Sequence, residues 1–252
     1  MTVRFERIRK LYQSPDGEVP ALENVSFSVE DGDFVSIVGP SGCGKSTLLN
    51  ILAGLEHPSG GRVLVDGTAV SGTTPVIGYM PQKDQLFPWR TIWGNVTLGL
   101  ELMGQNDAAH QARVQTLLER YGLLEFKGKL PSQLSGGMRQ RCALIRTLAT
   151  DPGLLLLDEP FSALDYQTRL SVSDDIHRII RTENKTALLV THDISEAISM
   201  SDTVVVLSAR PGTVKAVHQL NVFRGLSPME RRDHPQFHRF FNDIWKELDL
   251  GA

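Results

Sequence analysis

Eight residues near position 40 constrain the fold of this chain more than any other stretch. Gly39-Pro40-Ser41-Gly42-Cys43-Gly44-Lys45-Ser46 sets two glycines with four residues between them, followed directly by Lys and Ser. A short β-rich run, Phe34 to Val38, precedes the loop. Behind it, Leu48, Leu49, Leu52 and Leu55 fall at helical spacing, with Gly54 near the helix end. Glycines let such a loop turn its backbone N–H groups inward as an anion nest, and the helix start adds the positive end of its dipole. Phosphate groups are what that geometry holds. Lys45 then supplies a point charge for the β- and γ-phosphates of a nucleotide, Ser46 a hydroxyl for Mg²⁺, and Thr47 continues the binding segment. Cys43 admits two readings: a thiol whose pKa the nearby N–H dipoles lower, or filler at a variable loop position.

A second stretch completes the chemistry. Leu154-Leu155-Leu156-Leu157-Asp158-Glu159-Pro160 reads as a buried strand ending in two carboxylates. Ligands of open α/β sheets bind at that end of the strands. Asp158 is placed to orient the Mg²⁺ shell through water, and Glu159 to polarise an attacking water.

The pattern along the chain changes three times. Val3 and Phe5, then Val25, Phe27 and Val29, alternate on either side of a turn-rich segment at Ser14, Pro15, Asp16 and Gly17, as half-buried antiparallel strands do. Val63 to Val65 and Val76 to Met80 read as further strands. From about Thr91 to Thr150 helical patterns take over, among them Ala108 to Tyr121, stopped by Gly122; this predicts an inserted helical subdomain. Three apolar runs follow, Leu154 to Leu157, Thr186 to Val190 and Thr203 to Leu207, separated by stretches long enough for crossover helices. Such alternation predicts an α/β fold with a mainly parallel core sheet. The expected organisation is a catalytic domain over 1–215, with the helical insertion at about 91–150, and a short tail over 216–252. The tail carries a helix with Phe237, Phe240, Phe241, Ile244, Trp245 and Leu248, expected to pack on the same domain.

Composition removes several classes of function. The 252 residues carry a net charge of −3, too little positive charge for a large nucleic-acid footprint. No strictly apolar run exceeds four residues, so no segment is expected to span a bilayer, and Met1 to Lys10 lacks the apolar core of a secretion signal. Two cysteines, Cys43 and Cys142, make no disulfide framework and fit a reducing compartment. A role at a membrane therefore requires a partner.

Leu134-Ser135-Gly136-Gly137-Met138-Arg139-Gln140 opens another helix with a serine and a glycine pair, a second anion-binding helix start. One ATP needs one phosphate loop, which suggests that this second start serves a nucleotide held by another subunit. Together these motifs resemble the ATP-binding cassette (ABC) ATPases, over nearly the whole chain from Val3 to Lys215. The resemblance implies a P-loop NTPase fold with an antiparallel β subdomain and an inserted helical subdomain. It also implies Leu134 to Gln140 as the family's signature segment. In the same way Gln82 senses Mg²⁺ and the γ-phosphate, His192 is the switch histidine on the γ-phosphate, and Ser162-Ala163-Leu164-Asp165 helps to assemble a dimer. Tyr12 falls where the family stacks an aromatic on adenine. The other histidines, His57, His110, His177, His218, His234 and His238, match no motif and read as solvated or structural.

By the same resemblance, two subunits, identical or closely related, sandwich two ATP molecules between the phosphate loop of one and Ser135, Gly136 and Gly137 of the other. A permease is expected to dock near Phe87-Pro88-Trp89, with a solute-binding protein upstream and the subunit lying on the cytoplasmic face of the membrane. Phe87-Pro88-Trp89 and Arg210-Pro211-Gly212 look similar to the branch that powers import of nitrate, sulfonates, taurine or bicarbonate. An export or lipid-extraction permease, or a soluble cassette acting on nucleic acid or ribosomes, are the alternatives. No second cassette and no long coiled-coil insertion supports the last of these.

Overall fold

The computed structural model describes residues 1–15 and 17–248, so Asp16 of the expected turn and positions 249–252 of the tail lie outside the described residues. β1 (Val3–Ser14) and β2 (Gly17–Val29) form the expected antiparallel hairpin, with Phe5 and Phe27 stacked at 4.4 Å between ring centroids. The inward set on β1 moves from Val3 and Phe5 to Ile8, because a register shift falls between Phe5 and Ile8, where Arg7 has a φ of 52°. That extra residue hides the third member of the alternation from a strict period of two.

β3 (Phe34–Val38), the phosphate loop and α1 (Lys45–Leu52) follow, then β4 (Gly60–Val65), β5 (Thr68–Ala69) and β6 (Ile77–Met80). The next segment is helical: α2 (Ile92–Val96), α3 (Leu98–Leu102), α4 (Ala108–Arg120) and α5 (Gly136–Leu148). α4 ends as expected, with Gly122 at a φ of 70°. The chain returns through β7 (Leu154–Asp158), α6 (Tyr166–Thr182), β8 (Thr186–Thr191), α7 (Ile194–Met200), β9 (Thr203–Leu207) and β10 (Val214–Gln219), and finishes with α8 (Pro228–Asp233) and α9 (Phe237–Leu248).

Two sheets result. One is antiparallel, in the order β2-β1-β4-β5; the other runs β10-β9-β3-β8-β7-β6 and is parallel except at β10. β3 lies between β8 and β9, so the phosphate loop leaves the centre of the sheet. The apolar runs at β3, β7, β8 and β9 are buried on both faces, which is why they read as continuous rather than alternating. Leu154 and Leu156 face α1 and the antiparallel sheet, whereas Leu155 and Leu157 face the helices α5 and α6.

The boundary expected at residue 215 falls inside β10, which pairs with β9 from Val214 to Gln219. Its residues alternate between half-buried and exposed, the signature of an edge strand, so the core sheet continues to Gln219. On α9, Phe237 and Ile244 are buried with Phe223, Val204 and Val206, while Trp245 stays exposed. Among the described residues, no helix is long and apolar enough to cross a membrane.

Candidate functional site

The phosphate loop turns into α1 at Gly44, whose φ of 100° lies in the left-handed region that favours glycine. A Cβ there would also stand 2.6 Å from Leu22 Cδ2, so the loop lies directly on the antiparallel sheet. Lys45 is only 6% exposed, and its ammonium donates to the carbonyls of Gly39 at 2.7 Å and Pro40 at 2.9 Å. The loop thereby holds its own cation at its centre.

Cys43 corrects the reading of a lowered thiol pKa. The side chain is fully buried beneath the loop, and burial raises its pKa despite the nearby Lys45 charge and backbone N–H groups. Desolvation of the thiolate outweighs the dipoles, and Cys43 is a packing residue.

A cavity of about 510 Å³ opens above the loop, lined by Tyr12, Ser41, Gly42, Gly44, Lys45, Ser46, Thr47, Gln82, Asp158, Glu159 and His192. Four strand ends therefore converge on the loop: those of β3, β6, β7 and β8. The Ser46 hydroxyl donates to Asp158 Oδ1 at 3.1 Å, and Tyr79 Oη donates to Asp158 Oδ2 at 3.1 Å. Burial pushes the Asp158 carboxyl above the usual carboxylate range, while the Tyr79 and Ser46 hydrogen bonds oppose that rise. Tyr79 is itself pushed well above an ordinary phenol, first by burial and then by the Asp158 charge.

Glu159 has a φ of 44°, a left-handed conformation that turns its side chain off the line of β7. Its Oε2 lies 3.1 Å from His192 Nδ1 and accepts from Gln82 Nε2 at 3.4 Å. Gln82 also reaches the Ser162 hydroxyl at 3.5 Å. Residues separated by 77 and 33 positions in sequence thus meet on one carboxylate.

A hydroxyl and a carboxylate oxygen side by side suit a hard cation such as Mg²⁺. Among the described residues no group of three His, Cys, Asp or Glu side chains could hold a metal ion by itself. Ser46 and Asp158 thus fit the Mg²⁺ of a nucleotide complex.

Tyr12 lines this cavity, but its hydroxyl is tied down, donating to Glu56 at 2.7 Å and lying 3.1 Å from the Thr47 hydroxyl. Lys10 stands 5.0 Å from its ring centroid. Two lining residues were absent from the sequence-derived set, Ala21 and Arg210. Arg210 Nε donates to Pro20 O at 3.0 Å, and the Gly212 N–H donates to Ala21 O at 2.9 Å. Arg210-Pro211-Gly212 thus straps the hairpin against the mouth of the cavity. The motif Arg210-Pro211-Gly212 is the sequence signal for that position.

Gly39, Pro40 and Cys43 support the loop from behind and do not line this cavity, and neither do Ser135, Gly136, Gly137 or Asp165. Ser135 caps α5, accepting from Met138 N–H at 3.3 Å. A Cβ on Gly137 would stand 2.7 Å from Val172 Cγ2, so the helix start rests directly on α6. Asp165 caps α6 in turn, accepting from Thr168 N–H at 3.0 Å. These groups form a second surface, separate from the phosphate loop.

Comparison with known proteins agrees with this geometry. The ABC transporter family model matches residues 22–162, more than half of the chain. An uncharacterized ABC transporter ATP-binding protein of Bacillus subtilis, YtlC, is 47% identical over 98% of this chain and 95% of its own length. An aliphatic sulfonates import ATP-binding protein of Bacillus thuringiensis, SsuB, is 40% identical over 100% of this chain and 98% of its own. Among solved structures, the dimeric ABC transporter cassette MJ0796 superposes with a TM-score of 0.74 at 31% identity, covering 87% of this chain and 99% of that one. MJ0796 has also been described in a dimeric post-hydrolysis state bound to ADP and Pi. With relatives this similar over the full length, and a site built for a magnesium nucleotide, the chain belongs to the ABC transporter family as an ATP-hydrolysing subunit that uses ATP with Mg²⁺.

Proposed function

We propose that this subunit works as a dimer that closes on two ATP molecules and thereby drives a permease importing a small anionic solute. Lys45 neutralises the β- and γ-phosphates, and Ser46 and Asp158 hold the cation. Bound Mg²⁺ supplies charge stabilisation to the phosphate oxygens. Glu159 accepts the proton of the attacking water on its carboxylate, while His192 and Gln82 fix that carboxylate from two sides. Tyr12 offers adenine the ring face away from Lys10. Ser135, Gly136 and Gly137 present their N–H groups to the nucleotide of the other subunit, and Asp165 completes the same seam. Binding closes the pair because both anion sites are attracted to one ligand, and loss of the γ-phosphate releases it.

The observation that carries coupling to a permease is Trp89. It is 74% exposed, yet its loop is held rigidly. Asn95 is fully buried, donates to the carbonyls of Phe87, Arg90 and Thr91 at 3.0–3.1 Å, and accepts from Phe87 N–H at 2.7 Å. Arg90 grips Glu101 through both carboxylate oxygens at 2.6 Å. A large aromatic displayed on a braced loop marks a protein interface. The loop begins just after Gln82, and Asp84 within it pairs with Arg139 of α5 at 3.1 Å. A push on Trp89 is therefore delivered both to the catalytic carboxylate and to the helix behind Ser135.

Import of a small anion, with a solute-binding protein upstream and the subunit peripheral on the cytoplasmic membrane face, is supported by the full-length likeness to sulfonate import subunits. The Arg210-Pro211-Gly212 strap supports the same branch. The test is copurification of an untagged membrane permease from the native host, followed by ATPase measurements with the matching binding protein and candidate sulfonates, nitrate or bicarbonate. We expect Trp89→Ala to lose the permease while still binding ATP. Copurification with ribosomes or nucleic acid, and with no permease, would overturn the reading.

A further inference from the structure

Arg169 stands where two loops of the proposed machinery meet. Its Nη1 lies 3.2 Å from Asp193 Oδ2, one residue past His192, and its Nη2 donates to Leu164 O at 3.2 Å, one residue before Asp165. Asp193 is held in turn: its N–H donates to the Thr191 hydroxyl at 3.0 Å, and its Oδ1 accepts from Glu196 N–H at 3.1 Å. Both neighbours of His192 are therefore fixed by a network that Arg169 ties to the 162–165 loop.

Arg169 and Asp193 are themselves half-buried, and the network deepens behind them. Glu196 is 3% exposed beside Asp193, Arg169 and Arg232, and burial together with the Asp193 charge pushes its carboxyl up to about 8. Arg232 reaches in from α8 and donates to the Ser199 hydroxyl at 3.1 Å. Among the described residues, Glu196 Oε1, Arg169 Nε and Arg232 Nε are buried without a hydrogen-bond partner. Packing alone would be served better by apolar side chains, because incompletely paired buried charge is costly. Spare donors and a spare acceptor in one cluster also allow it to re-pair with little displacement, as a two-position element requires.

We propose that Arg169 is a positioning residue that locks the 162–165 loop to the His192 loop, so that seating either loop seats the other. This rests on the dimer reading, in which Asp165 meets the nucleotide of the opposite subunit and His192 meets its own. Arg169 then makes each subunit report the state of one ATP site to the other. Its fork is suited to the task, because one guanidinium can hold a carboxylate and a carbonyl on different loops at once. The Glu196 N–H holds Asp193, and Arg232 holds α7 through Ser199, which gives the tail after β10 a place beside the same network.

The test is steady-state ATPase activity against ATP concentration, together with ATP affinity from equilibrium binding and a thermal melt. Wild-type protein should hydrolyse ATP with a Hill coefficient above 1. Arg169→Ala should bring that coefficient to 1 and lower kcat about 10- to 100-fold, with ATP affinity unchanged. Arg169→Lys, which keeps the charge but reaches only one partner, should fall between, and serves if the alanine variant does not fold. The exchange Arg169→Asp with Asp193→Arg should recover part of the cooperativity. Wild-type cooperativity that survives intact in a folded Arg169 variant would overturn this inference and leave the dimer reading standing. A non-cooperative wild type would likewise overturn this inference, whereas the dimer reading fails only if mixed Ser135→Arg and Lys45→Ala dimers show no recovery of ATPase activity.

Discussion

Nδ1 of His192, at the end of β8, lies 3.1 Å from Oε2 of Glu159, at the end of β7. Neighbouring parallel strands bring the two side chains together, because β7 and β8 pair in register from Leu154 opposite Thr186 to Asp158 opposite Val190. The left-handed turn at Glu159 then directs its carboxylate toward the next strand. A carboxylate held by a histidine on one side and Gln82 on the other is oriented before any water arrives, which is what the proposed role of base requires.

Glu159→Gln keeps the shape of the side chain but, in the proposed mechanism, removes the base. Turnover should fall by about 10²- to 10⁴-fold while ATP affinity is retained, and the variant should accumulate as an ATP-bound dimer. Sedimentation with and without ATP, beside a steady-state ATPase assay, measures both. Near-normal hydrolysis by this variant would remove Glu159 from the role of base.

The site was legible where chemistry is carried by contiguous residues. Gly39 to Ser46 and Leu154 to Glu159 each place their groups on one strand end, so that spacing alone predicts geometry. What stayed hidden depends on packing between distant segments. Cys43 faces inward, and no local pattern distinguishes that from exposure on a phosphate loop. β10 alternates at half-burial after Pro211-Gly212, so an edge strand of the core sheet reads as the start of a tail. Arg231 lies on a short helix among polar residues, with no local pattern that marks it for burial. It is buried because its guanidinium donates to Leu226 O at 3.1 Å and to Ser201 O.

Tyr79 was likewise missed, since a tyrosine within a strand signals only packing. Its hydroxyl is one of two donors to the Asp158 carboxylate. A hydrogen bond to a charged group contributes about 1.5–3 kcal/mol. Tyr79→Phe should therefore raise the Mg²⁺ concentration for half-maximal ATPase activity by about tenfold, with a smaller effect on ATP affinity. A Mg²⁺ titration at fixed ATP measures this, and an unchanged midpoint would contradict it.

His177 lies on α6, outside the lining of the phosphate-loop cavity, against the Phe34 ring at 5.9 Å between centroids. Burial, and then the charges of Arg181 and Arg231, push its pKa down to about 3 from an ordinary 6.5. The folded protein thus refuses a proton that the unfolded chain accepts, so stability is intact above 6.5 and is lost as pH falls toward 3. This one group should cost about 2 kcal/mol between pH 7 and pH 5. His177→Gln should melt at a temperature that falls less over that range than the wild-type value. Parallel acid limbs for the two proteins would contradict the assignment.

The central claim is that each chain carries two half-sites and that a working site joins Lys45 of one chain to Ser135 of another. Mixing Ser135→Arg with Lys45→Ala subunits tests it most directly, since a mixed dimer contains one intact composite site and each variant alone contains none. Partial recovery of ATPase activity in purified heterodimers, where both parent variants are inactive, is the expected result. Verified heterodimers that remain as inactive as their parents would contradict the account.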